Sequence, residues 1–246
     1  MSEFKLPTEQ VELPSKGYLY PAESELAKGT IEMKYMTAKE EDILTNQSYI
    51  EKGIVLDKLM KSLIITPINY DDILTCDKDA IMVAARVMGY GKNYTFDYKG
   101  EEQTVDLTQL ENKSFDEELF KSSNNQFEFT LPQSGNVITF KMLTHKDEQD
   151  IDREVQGLKK IHKNEDRSIS TRLKYIITSV NGLTEKKDIR SFVDNALLAQ
   201  DSRALRAYIK KMSPGVDLTF FPDESTDRVS IPIGLSFFWP DFEDRA

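Results

Sequence analysis

Few residues of this chain are of types that do chemistry, and their spacing does not favour it. The two histidines, His145 and His162, stand 17 positions apart among charged residues, and both read as solvated helix positions. Cys76 is the only cysteine, which excludes an internal disulfide and a cysteine-based zinc site. With no local base to activate it, Cys76 reads as a small, half-buried residue ahead of a helix. The carboxylates of Glu40-Glu41-Asp42 and Asp147-Glu148 fall at predicted helix starts, where they complement the helix dipole. No loop carries the ligand spacing of an EF-hand. Gly89-Tyr90-Gly91-Lys92 has the glycines of a phosphate loop, but they close a helix and open a strand, the reverse of that motif. Asn93 follows the lysine where Ser or Thr would hold the metal. No catalytic, cofactor-binding or metal-binding residue is assigned, and no cofactor. An enzyme would require a polar pocket with perturbed carboxylates between the two halves of the chain.

The elements that would position such groups are legible. An extended run over 30–36 leads into Thr37-Ala38-Lys39-Glu40, with Thr37 placed as a helix cap and Glu40 as its reciprocal partner. This helix is predicted over 37–51, and a second over 54–64 ends before Pro67. Asp77 is read as the cap of a third, apolar on most of its circumference and therefore central. Alternation of Tyr94, Phe96 and Tyr98, a turn at Lys99-Gly100-Glu101 and a return over 104–107 predict a hairpin. A polar break at Ser122-Ser123-Asn124-Asn125 separates the halves. The second half begins with a hairpin over 127–131 and 137–143. Helices near 145–160, 170–180, 187–198 and 201–211 follow, then a hairpin over 216–221 and 229–233.

Part of this grammar repeats. The Thr37 run returns at Thr144, 107 residues later. Asp77-Lys78-Asp79-Ala80-Ile81, Gly91 and Phe96 return as Asp201-Ser202-Arg203-Ala204-Leu205, Gly215 and Phe220, each 124 residues later. The difference implies about 17 inserted residues, placed near 159–167. The expected fold is α+β and mostly helical, with two similar lobes from internal duplication, each a helical bundle with a β-hairpin. The lobes cover 30–123 and 124–246. An extended arm over 1–29 precedes them, kept from helix by Leu6-Pro7, Leu13-Pro14 and Tyr20-Pro21.

A net charge of −10 argues against nucleic acid as a partner. No apolar run approaches the roughly 18 residues of a membrane helix, and the N-terminus has no secretion signature. Phe237, Phe238, Trp239 and Phe242 crowd the end of the chain. They either complete its own core or lodge in a partner, as clustered aromatics do at interfaces. Val11, Leu13, Tyr18 and Tyr20 of the arm likewise either fold back on the chain or wrap a partner. These eight residues are the candidate partner-binding set.

Four motifs occur in order: Leu13-Pro14-Ser15-Lys16-Gly17 with Tyr20-Pro21; Met36-Thr37-Ala38-Lys39-Glu40-Glu41-Asp42-Ile43-Leu44-Thr45; Ala84-Ala85-Arg86 with Gly89-Tyr90-Gly91; and Ile231-Pro232-Ile233-Gly234 with Phe237-Phe238-Trp239-Pro240. The set spans about residues 11–242 and resembles the baseplate hub assembly proteins of T-even-like contractile-tailed phages. The resemblance implies a non-enzymatic, chaperone-like assembly factor that binds tail hub proteins in the host cytoplasm. Its alternative is a permanent structural subunit of the baseplate hub, carried in the virion. The partners implied are other baseplate hub and tail proteins, with neither nucleic acid nor membrane, and self-association left open.

Overall fold

Strand β1 (Thr8–Glu12) runs antiparallel to β2 (Thr30–Lys34), with Val11 opposite Ile31. In this computed structural model, which describes residues 6–161, 166–222 and 228–238, residues 8–12 of the predicted arm thus form one side of a hairpin. Its long loop closes on itself through a glycine. Gly29 has φ 73°, and a Cβ there would lie 2.8 Å from the Lys16 carbonyl oxygen, so no other residue fits without displacing backbone.

Helices α1 (Ala38–Leu44), α2 (Gln47–Glu51) and α3 (Val55–Leu63) follow. The single helix predicted over 37–51 is broken, because Asn46 takes the Tyr49 N–H on its side-chain oxygen at 3.1 Å and starts a new helix. After α3 the chain lies along the free edge of β2. The Ile65 N–H donates to the Glu32 carbonyl at 2.8 Å, and the Glu32 N–H donates to the Thr66 hydroxyl at 2.7 Å. Next come α4 (Thr75–Tyr90) and the hairpin of β3 (Asn93–Tyr98) and β4 (Glu101–Asp106). Arg86, buried on α4, fixes the chain reversal by donating to the Gly91 and Asn93 carbonyls at 3.0 and 3.2 Å.

The short helix α5 (Glu117–Ser123) leads to β5 (Phe127–Thr130) and β6 (Val137–Phe140), antiparallel with Phe129 opposite Ile138. Helices α6 (His145–Ile161) and α7 (Ser168–Ile176) precede β7 (Ile177–Val180), which joins the free edge of β6. The helix predicted over 170–180 therefore stops at Ile176. Residues 177–180 contain three β-branched positions out of four and find a strand edge waiting. Helices α8 (Lys186–Asn195) and α9 (Ala199–Met212) and a small ladder of β8 (Thr219–Phe220) with β9 (Val229–Ser230) complete the fold. It is α+β, with small antiparallel sheets set among helices.

The hydrophobic core runs through both halves without a break. Rings of Phe115, Phe120, Phe127, Phe140 and Tyr208 form a chain, each about 5 to 6 Å from the next. Backbone bonds cross between the halves: Thr75 N–H to the Leu143 carbonyl at 2.9 Å, and His145 N–H to the Ile73 carbonyl at 2.7 Å. The closing segment packs on the β3–β4 hairpin, with Phe220 against Phe96 and Phe237 against Tyr94. No helix among the described residues is long and apolar enough to cross a membrane.

Candidate functional site

Four of the eight candidate partner-binding residues are consumed by the core. Leu13 and Tyr20 are buried, and Phe237 and Phe238 are 0% exposed. In this conformation they offer no docking surface, and the self-packing alternative describes them. Val11 and Tyr18 stay partly exposed, the Tyr18 hydroxyl donating to Glu117 at 3.0 Å. Trp239 and Phe242, like His162, lie outside the described residues.

The arm is held by a buried carboxylate. Asp77 accepts from the Ser15 N–H at 2.8 Å, the Ser15 hydroxyl at 2.7 Å and the Tyr20 hydroxyl at 2.7 Å. The Tyr20 oxygen in turn accepts the Leu74 N–H at 2.9 Å. Asp77 is therefore not the helix cap that its position suggests. Leu74 takes that place, and Asp77 sits in the first turn facing the hairpin loop. Burial raises its pKa, against the lowering effect of the three donors. Burial also raises the Tyr20 phenol, as does the neighbouring Asp77 charge. Asp201 has the same place on α9 and accepts from the Gln133 and Ser134 N–H groups at 2.8 and 3.0 Å. Burial opposes its ionisation, but those N–H donors prevail and hold its pKa below the usual carboxylate range.

A second pair of anchors lies at the starts of α1 and α6. Glu40, 0% exposed, accepts the Thr37 N–H at 3.0 Å and the Lys34 ammonium at 2.8 Å. Burial disfavours its charge, yet bonds from Lys34, Ser62 and Thr37 outweigh that and hold its pKa at about 2. Asp147 takes the Thr144 N–H at 3.0 Å and the Lys141 ammonium at 2.8 Å.

A polar recess of about 440 Å³ opens among α3, α4 and α6. Val55, Met60, Met82 and Leu235 line its apolar side, and Asp57, Lys78, His145 and Gln149 its polar side. His145, predicted to be solvated, is 3% exposed. It opens α6 directly under the Tyr70 ring, edge-on at 4.7 Å, which shields it from water. The Lys78 ammonium lies 3.0 Å from His145 Nδ1 and can only donate, so Nδ1 is the acceptor. His145 Nε2 lies 3.3 Å from Asp57 Oδ2 and 2.9 Å from the Gln149 amide nitrogen. Asp57 Oδ1 also accepts from Tyr70 and Lys78, at 3.2 and 3.3 Å. Burial works against the Asp57 charge, but His145 and Lys78 overcome it and hold the pKa at about 2.

This is a polar pocket with a perturbed carboxylate at the meeting of the halves, the feature an enzyme would need. Its perturbation points away from acid–base work. A general base poised for neutral pH has its pKa raised toward 7, whereas Asp57 is locked as a charged acceptor with both oxygens engaged. The thiol of Cys76 is driven up by burial and away from thiolate reactivity. Among the described residues no three His, Cys, Asp or Glu side chains converge on a metal position. The network ties α3, α4 and α6 together. Sequence offers little sign of it, because Asp57, Lys78 and His145 come from three separate helices and meet only on folding.

Compared with protein-family models, curated proteins and solved structures, the chain matches none.

Proposed function

We propose that this chain is a non-enzymatic assembly factor that binds hub proteins of a phage-tail baseplate, in the host cytoplasm, and that one α+β unit was duplicated to build it. The ordered motifs of the sequence carry the functional reading. The geometry supports it because the same motifs supply the anchors. Leu13–Gly17 is the loop gripped by Asp77, Thr37–Glu40 forms the Glu40 cap, and Arg86 with Gly91 turns α4 into β3. Charged groups of types able to do chemistry are engaged in holding segments together, which suits a scaffold that acts through its surface.

Paired geometry supports the duplication. Lys34, Thr37 and Glu40 have counterparts in Lys141, Thr144 and Asp147, all 107 residues later, with matching ion pairs of 2.8 Å. Helices α3 and α7 are both nine residues long and are capped by Ile64 and Ile177, 113 apart, where the chain turns onto a strand edge in each. Leu74 and Leu198, 124 apart, precede α4 and α9. On these offsets the 17 extra residues are two insertions, not one: six between Thr144 and α7, and eleven around α8. A helix placed by itself in one unit, α8, replaces the short 64–74 connection of the other.

Co-expression with each baseplate hub component, followed by size-exclusion chromatography, tests the function: a co-eluting complex is expected, and none with any component would reject it. Mass spectrometry of purified virions separates the transient factor from the permanent subunit. Absence from virions is expected of a factor that binds the unassembled hub protein more tightly than the assembled one and is displaced by a partner. Stoichiometric retention would establish the structural subunit instead.

A further inference from the structure

One groove is open in the first unit and filled at the same place in the second. In the second unit Phe129, two residues before Leu131, stacks on Tyr208, seven residues after Asp201, with ring centroids 4.7 Å apart. The corresponding residues of the first unit are Val11, two before Leu13, and Ala84, seven after Asp77. Both are small, and a groove of about 280 Å³ runs between β1 and α4 where the aromatic pair would stand. Its floor is the helix face of Ala80, Val83, Ala84 and Val87, an apolar stripe at helical spacing that is only partly covered.

The wall of this groove is a strand edge. Pro7 pairs with Tyr35 and Leu13 with Gly29 by backbone bonds, so in the alternating antiparallel ladder Glu9 and Val11 also face β2. Thr8, Gln10 and Glu12 then turn their N–H and C=O groups outward. Confirmation comes from the far side of the hairpin, where Glu32, opposite Gln10, sends its own backbone groups to Ile65 and Thr66. The rim is acidic: Glu9 and Glu12 line the groove, and no Lys or Arg does among the described residues.

We propose that the β1 edge and the α4 stripe form a docking groove for an extended segment of a partner protein in which apolar residues alternate with lysine or arginine. The segment pairs with Thr8, Gln10 and Glu12 as an added strand, sets its apolar side chains on Ala80 to Val87, and meets Glu9 and Glu12 with its cations. A helix would leave the strand edge unpaired, and an acidic strand would meet the rim with like charge. This deepens the assembly-factor proposal by naming the surface and the partner chemistry, and it rests on that proposal only for the identity of the partner.

The test uses the full chain and a fluorescein-labelled nonapeptide alternating valine with lysine and threonine, followed by fluorescence anisotropy. A matched peptide with glutamate in place of lysine is the control. Saturable binding of the basic peptide is expected, at least about tenfold tighter than the acidic one. Val11→Phe with Ala84→Tyr, which rebuilds the aromatic pair of the second unit, is expected to weaken binding about tenfold or more. Gln10→Pro removes one outward N–H while leaving the β1–β2 ladder intact, and is expected to do the same. Thermal unfolding of each variant confirms that it is folded. No binding of the basic peptide, equal binding of both peptides, or unchanged binding in both folded variants would overturn the groove. Hub co-elution separates the two proposals. If a hub protein binds wild type and both variants equally, the groove fails and the assembly reading stands. If peptide binding depends on the groove but no hub protein binds, the assembly reading fails and the groove stands.

Discussion

Two strand–helix regions of the chain each tie a helix to a hairpin loop, and they close the seam between strand and helix differently. In each, a carboxylate in the first turn of the long helix reaches the loop of a hairpin: Asp77 to Ser15 and Tyr20, Asp201 to Gln133 and Ser134. Asp77 meets hydroxyls and holds a long loop that contains Leu26 and Tyr20 of the core. Asp201 meets the Gln133 and Ser134 N–H groups of a shorter turn, and the Ser134 side chain adds to them. Further along, the second unit seals strand to helix with Phe129 and Tyr208, and the first leaves that seam open. The first unit thus depends on its carboxylate and the second on its aromatic packing.

The largest effect should follow from Asp77→Ala. It leaves the Ser15 hydroxyl, the Ser15 N–H and the Tyr20 hydroxyl buried without an acceptor, and each such group costs about 1–3 kcal/mol. A loss of about 3 kcal/mol or more is expected, lowering the melting temperature by roughly 6–12 °C at this chain length. Asp201→Ala should cost less, because a tight turn can present its N–H groups to water. Calorimetry of the two variants checks the order. A greater loss in Asp201→Ala would reverse the assignment of which unit leans on its carboxylate.

Next in size is the aromatic seam. Phe129→Val with Tyr208→Ala should destabilise by about 2 kcal/mol, through lost ring stacking and an uncollapsed cavity. The reciprocal graft, Val11→Phe with Ala84→Tyr, fills existing space and should change stability by less than about 1 kcal/mol. Urea unfolding measures both. If the graft costs as much as the deletion, the first groove is not equivalent space and the parallel between the seams breaks.

Much of this was legible in the sequence, for reasons that can be stated. Thr37 with Glu40 marks a helix start through local bonds, and the hairpin of Tyr94, Phe96 and Tyr98 shows its period in adjacent residues. What escaped was set by distant contacts. Ile177–Val180 is strand only because the β6 edge is free beside it, so local pattern could not separate it from the end of α7. Asn46 broke a predicted helix, yet an Asn followed by polar Gln47 and Ser48 was a readable cap. His145 looked solvated among Lys146, Asp147 and Glu148, since the Tyr70 ring that covers it is 75 residues away. Asp77 stands where a helix cap would and does another task, because its hydrogen-bond partners lie about 60 residues upstream.

The smallest effect is also the most specific, since the two carboxylates shift in opposite directions. Burial raises the pKa of Asp77, so the fold holds that proton more tightly than the unfolded chain does. Its contribution is complete below the ordinary value of 3.8 and is lost as pH rises through the folded-state pKa. Asp201 is lowered by its N–H donors despite burial, so its contribution is complete above 3.8 and is lost as pH falls through the folded-state pKa. Asp201→Asn should therefore flatten the decline of stability on the acid side of 3.8, and Asp77→Asn should steepen the rise of stability on the other side. The slope of the urea midpoint against pH isolates these terms, because hydrogen bonds lost in either variant move the level of the curve and leave its slope alone. Slopes that change in the same sense for both variants would mean that the two buried aspartates sit in equivalent electrostatic surroundings, and the contrast between the two carboxylates would fall.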